Sequence, residues 1–178
     1  MTIRLEHANF QVRDIDGMIR FLRTAFPDFR IRGEGKTWQG QRWVHVGCDD
    51  AYINLTQAIQ EPVEKRAPYS GTPGLNHLGF EVDDVEALRS RMKDAGYFDS
   101  TVPNDHPHRK RVYFFDAEGR DWEFVQYLSN DPAERNDYDL PDVVQLGVLR
   151  SDVQQKGRGP IRGLSGRLWV TTPRSAKS

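Results

Sequence analysis

The stretch Leu5-Glu6-His7-Ala8-Asn9-Phe10-Gln11-Val12-Arg13-Asp14 returns, at a constant offset of 70, as Leu75-Asn76-His77-Leu78-Gly79-Phe80-Glu81-Val82-Asp83-Asp84. Leucine, histidine, phenylalanine, valine and aspartate hold the same places in both copies. Each copy alternates as a strand does. Ala8, Phe10 and Val12, or Leu78, Phe80 and Val82, share an apolar face, while Leu5, His7 and Asn9, or Leu75, His77 and Gly79, share the other. A repeat of this kind constrains the architecture before any single motif does.

Working outward, an aspartate after each strand (Asp14 or Asp16; Asp83 or Asp84) can cap a helix. Helical spacing is carried by Ile15, Ile19 and Leu22 in the first copy and by Val85, Leu88 and Met92 in the second. The helices are predicted to end near Pro27 and near Gly96. Strand-like runs follow at 29–32, 42–46 and 52–57, then at 100–102, 111–115 and 122–126, with Asp116-Ala117-Glu118-Gly119 as a hairpin turn. The fold class expected is α+β, with two βαβββ modules forming a curved mixed sheet around a shared cavity and each helix covering an apolar face. The modules are expected at 1–61 and 75–129, joined by a Pro- and Gly-containing linker at 62–74 and followed by an extension at 130–178.

The 178 residues suit one globular unit, and their formal net charge of -1 makes no electrostatic case for nucleic-acid binding. Residues 150–178 are an exception, carrying seven Lys or Arg and one Asp without apolar periodicity. They read as a loosely docked or mobile extension rather than a nucleic-acid arm. A single cysteine, Cys48, fits a reducing compartment, and neither an export signal nor a membrane span is legible, so a cytoplasmic protein is expected. A small-molecule substrate is the expected partner, with a homodimer as the common symmetric assembly.

Strand parity then selects the cavity-facing side chains. In the run 52–57 it places Tyr52, Asn54 and Thr56 on the histidine side; in 122–126 it places Glu123 and Val125 there. His7, His77 and Glu123 are thereby expected to converge from three strands. Two imidazoles and one carboxylate form the facial set of non-haem Fe(II), leaving positions open for substrate and oxygen. Fe(II) is the favoured ion, with Mn, Ni, Co or Zn compatible with the same donors. Asn54, the counterpart of Glu123, offers only a weak, uncharged oxygen. A histidine within a strand is more commonly a hydrogen-bonded core residue, but the duplication of position raises the metal reading above that.

On these residues the chain resembles the vicinal oxygen chelate superfamily over roughly residues 4–128. That superfamily includes glyoxalase I, bleomycin- and fosfomycin-resistance proteins, methylmalonyl-CoA epimerase and extradiol ring-cleaving dioxygenases. The resemblance implies paired modules with metal ligands at the positions of His7, Asn54, His77 and Glu123. A more local likeness, to the extradiol dioxygenase motif, is carried by Asn104, His106, Val112, Tyr113, Asp116, Gly119 and Glu123, with Ala117 where that motif has proline. It implies that His106 and Tyr113 lie near a bound catecholate. His45 is a second candidate for the base that takes a catechol proton at neutral pH.

The function expected is therefore a ring-cleaving dioxygenase acting on a catechol-like substrate. The alternatives are a metal-dependent lyase or isomerase working through an enediolate and a non-catalytic binding protein of the bleomycin-resistance type. Trp38, Trp43 and Tyr52 are candidates for an aromatic wall. Gly35-Lys36-Thr37 echoes a phosphate-binding loop, but Arg30 stands where that motif requires glycine, and a strand rather than a helix is expected next.

Overall fold

Asp14 caps the first helix by accepting a hydrogen bond from the backbone N–H of Gly17, and Asp84 caps the second by accepting from Glu86 and Ala87. From these two caps the duplicated plan unfolds. The computed structural model describes residues 4–61, 68–71, 73–102 and 105–139. The first module runs β1 (His7–Val12), α1 (Ile15–Ala25), β2 (Arg30–Lys36), β3 (Arg42–Gly47) and β4 (Tyr52–Gln57). The second runs β5 (His77–Glu81), α2 (Val85–Asp94), β6 (Arg109–Phe115) and β7 (Asp121–Tyr127), followed by a single helical turn, α3 (Pro132–Arg135).

The first sheet has the order β1-β4-β3-β2 and the second β5-β7-β6, with β1·β4 and β5·β7 parallel and the remaining pairs antiparallel. The strand expected at 100–102 is reduced to an isolated bridge between Asp99 and Phe114, so the second sheet has three strands rather than four. The Ser100 N–H still donates to the Tyr113 carbonyl, but the Tyr113 N–H goes to the Thr101 hydroxyl and the Thr101 N–H to the Asp99 carboxylate, so side chains take the bonds that would extend the ladder. The turn at Asp116–Gly119 is present, with Gly119 at φ +79.

Parity decides the core. Val12, Val44, Val46, Ile53 and Leu55 from the first sheet and Val112, Phe114, Trp122 and Phe124 from the second are buried with the apolar sides of α1 and α2 in one cluster. Rings cross between modules: Phe10 and Phe21 meet Trp122, and Phe26 meets Phe80 and Phe124. Both apolar sheet faces thus belong to the same core, and the histidine-bearing faces turn away from it.

Polar bonds fasten the modules at both ends of α1. Glu118, on the β6–β7 turn, accepts from the backbone N–H groups of Arg13 (2.7 Å) and Asp14 (2.9 Å) and from the Arg13 side chain (3.0 Å). At the opposite end Arg91 of α2 donates to the carbonyls of Thr24 and Ala25 at 2.8 and 2.6 Å, satisfying groups that the helix leaves open. Beyond β7 the chain continues to dock: Arg135 pairs with Glu81 and lies 3.8 Å from the Tyr127 ring centroid. The extension expected after residue 129 therefore begins as a packed segment, and its remainder from residue 140 lies outside the described residues. No helix among the described residues is long and apolar enough to cross a membrane.

Candidate metal centre

In the parallel β5–β7 pair Gly79 lies opposite Glu123, so the carboxylate projects on the histidine side over a residue without a side chain. Its Oε2 sits 2.9 Å from His77 Nε2, and its Oε1 accepts from the Tyr113 hydroxyl, with Arg111 4.0 Å away. Tyr113 reaches Glu123 because the two are antiparallel partners across β6 and β7. Burial pushes the Glu123 pKa up, but bonds from His77 and Tyr113 and the nearby Arg111 charge outweigh it, leaving the carboxyl below its ordinary value.

The other nitrogen of His77 is also engaged. Tyr69 Oη lies 2.8 Å from His77 Nδ1 and donates to Asp121 Oδ2 at 3.0 Å. Because a hydroxyl has one proton and the buried carboxylate takes it, His77 Nδ1 must be the donor to Tyr69. The 2.9 Å contact between Nε2 and the Glu123 carboxylate holds a proton between the two, the place a bound cation would take. Outer-shell bonding of this kind orients metal-ligating histidines. Tyr69 holds its place in a left-handed backbone conformation, φ +59, its N–H bonded to Asn76 Oδ1. Neither Tyr69 nor Asp121 was singled out in the sequence. Tyr69 lies in the linker with no periodicity to flag it, and only the register of β5 against β7 sets Asp121 opposite His77.

His7 occupies the equivalent place in the first module with different company. It contacts Glu6 and stacks on Tyr52 with centroids 4.9 Å apart. His45 lies across from Asn54 and between Trp43 and Tyr52, at 4.8 and 4.6 Å. Burial, then the charges of Arg32 and His7, lower the His45 pKa, which keeps its ring neutral at physiological pH. The side-chain oxygen of Asn54 is buried without a hydrogen-bond partner among the described residues.

Among those residues no three His, Cys, Asp or Glu side chains gather closely enough to hold a metal ion, so one chain brings His77 and Glu123 together but does not add His7. His106, the motif histidine, is 4% exposed; its Nε2 is 3.2 Å from the Asp137 carbonyl and its Nδ1 accepts from the His108 N–H. It anchors the segment after β7. Asn104 lies outside the described residues. Trp38 does not join the aromatic wall: it is 92% exposed at the tip of the β2–β3 connection.

The donor set fits a divalent cation, since the His77 Nε2 and the Glu123 carboxylate adjoin one point and can exchange the proton between them for a metal ion. No curated protein matches the chain. Solved structures similar to it include the fosfomycin resistance protein FosX from Mesorhizobium loti, at 23% identity over 76% of this chain and 98% of that one, TM-score 0.55. A glyoxylase/bleomycin resistance protein/dioxygenase domain from Frankia sp. EAN1pec is similar at 20% identity over 74% and 96%, TM-score 0.58. A FosX variant from Listeria monocytogenes, complexed with Mn(II) and 1S,2S-dihydroxypropylphosphonic acid, is similar at 16% identity over 76% and 99%, TM-score 0.56. These likenesses speak to the fold. The family description of the Glyoxalase/Bleomycin resistance protein/Dioxygenase superfamily matches residues 4–124, and the chain belongs to that superfamily.

Proposed function

We propose that this protein is a divalent-metal-dependent enzyme acting on a small substrate with two neighbouring oxygens, its metal held by His77 and Glu123 of one chain and His7 of a second copy. The observation that carries this reading is the Tyr69–His77–Glu123 arrangement, which orients one donor and sets it beside the other. Two observations support assembly across two copies: the histidine-bearing faces turn away from the shared core, and His7 is not gathered with the other two donors in one chain. A bound divalent ion would supply a Lewis acid for the substrate oxygens and, as Fe(II), a redox partner for oxygen.

The chain's own residues supply the rest. Tyr113 holds Glu123 Oε1, which keeps the carboxylate ionised and turned to His77. His45, neutral and flanked by Trp43 and Tyr52, can take a proton from a substrate hydroxyl. Those flanking rings suit a flat substrate, so ring cleavage of a catechol-like compound is the preferred reaction, with His45 rather than His106 as base. A second reading, redox-neutral Lewis-acid chemistry, is favoured by one observation: the motif histidine His106 is committed to the segment after β7.

Elemental analysis of protein purified without added metal, then anaerobic Fe(II) loading and oxygen uptake with a catechol panel, tests the reaction. Oxygen uptake with a yellow product selects ring cleavage. Metal retention with no uptake across the panel selects the redox-neutral reading, and absence of any bound metal selects a sequestering protein. Mixing His7→Ala with Glu123→Ala tests the shared site. Each is inactive alone, but the mixed dimer regains one intact centre, so about a quarter of all sites should work after random exchange. No recovery despite subunit exchange removes the two-copy assembly.

A further inference from the structure

The polar face of the first module carries a continuous row of rings. Trp43, His45, Tyr52 and His7 follow one another at centroid separations of 4.8, 4.6 and 4.9 Å across β3, β4 and β1. Gly35 makes room for the row. A Cβ there would stand 3.0–3.1 Å from the Trp43 indole, closer than ordinary van der Waals contact, so a side chain at this position would push the ring back by a few tenths of an ångström.

Arg32 completes the surface. The pairing of β2 with β3 slips between Ile31 and Gly33, which inserts Arg32 as an extra residue in the ladder. Its guanidinium comes 4.6 Å from the centroid of the Tyr52 ring. The neighbouring arginines are neutralised: Arg30 by Asp49, Arg42 by Asp16 and Glu34, and Arg4 by Asp50. Arg32 makes no ion pair among the described residues, and Glu6, at the His7 end of the row, pairs with His7.

We propose that Arg32 and this ring row form a subsite for a flat carboxylic acid, its ring set against the edges of Trp43 and Tyr52, whose faces are taken within the row, and its carboxylate pairing with the guanidinium. Arginine is the residue whose planar fork both stacks on an aromatic face and binds a carboxylate through two parallel hydrogen bonds. The substrate class of the proposed metal site is then an aromatic acid rather than a neutral ring; this rests on reading the histidine-bearing face as the substrate side.

The test uses the full chain without metal, so it is independent of turnover. Trp43 emission is titrated with benzoate and with benzyl alcohol, a neutral ring of similar size, and Trp43→Phe identifies which part of the signal belongs to that indole. Benzoate should bind about tenfold tighter than benzyl alcohol, the difference a charge-assisted pair supplies. Arg32→Gln should erase that preference while leaving benzyl alcohol binding unchanged, and added salt should weaken benzoate alone. Equal affinity for the two probes, no saturation by benzoate, or an unaltered preference in Arg32→Gln would overturn the subsite. Because metal retention is measured separately, benzoate selectivity without metal binding keeps the subsite and removes the metal reading; the opposite result does the reverse.

Discussion

Removing the Glu118 carboxylate should loosen the join between the modules. Its side chain is 7% exposed and accepts two backbone N–H bonds at the entrance to α1, from a residue more than one hundred positions away in the chain. In Glu118→Ala both N–H groups lose their acceptor. An orphaned donor costs about 1–3 kcal/mol when water cannot reach it, and the exposure of Arg13 lets water reach part of this site, so about 2 kcal/mol in total is expected. Glu118→Gln keeps an oxygen for the two N–H groups and should fall between Ala and the parent.

The pH dependence carries its own sign. Burial raises the Glu118 pKa, but the Asp14 N–H and the Arg13 side chain and N–H outweigh it, leaving the carboxyl below its ordinary value. Its contribution is therefore present above the unfolded pKa and fades as pH falls through the lower folded value. Urea unfolding of the three proteins at neutral pH, repeated toward pH values near or below about 4, measures both effects. Glu118→Ala within about 0.5 kcal/mol of the parent at neutral pH, or a parent-to-Gln gap that does not shrink on acidification, would refute the reasoning.

Other outcomes follow from the candidate centre. His77→Ala should abolish metal retention, read by elemental analysis, with an unchanged far-UV circular dichroism spectrum; full retention would exclude His77 as a ligand. Tyr69→Phe removes the partner of His77 Nδ1 and should weaken metal affinity about tenfold in a chelator competition, whereas unchanged affinity would deny Tyr69 a positioning role. Gly35→Ala should displace the Trp43 ring, shifting its emission and costing about 1 kcal/mol in urea unfolding; an unperturbed spectrum would mean the ring does not lie over β2. His106→Ala should lower stability while sparing turnover with the preferred substrate, and selective loss of turnover with stability intact would return His106 to the site.

Much of the scaffold was legible because alternation and helical spacing act locally. The caps Asp14 and Asp84, both helices and the apolar sets of β1 and β4 lie where period and turn chemistry place them, since each residue's face depends on its parity alone. The misses fall where long-range contacts override local signal. Residues 100–102 have strand character, but Ser100 and Thr101 answer to Asp121 and Tyr113. His106 matches a catalytic motif in spacing, yet the carbonyl of Asp137, thirty-one residues later, claims its ring. Arg32 was invisible as a polar-face residue because a bulge reverses the parity that strand reading relies on.

By itself, the sequence determined the duplicated module and the faces of its strands, His77 and Glu123 on the same side among them, because these follow from a two-residue repeat. Only the tertiary structure decided which sides of the two sheets meet. The apolar faces, carrying Phe10, Phe80, Trp122 and Phe124, find more buried area against each other and the two helices than apart. That choice turns the histidine-bearing faces away from the common core, brings Tyr69 from the linker onto His77, and leaves His7 outside the His77–Glu123 pair of its own chain.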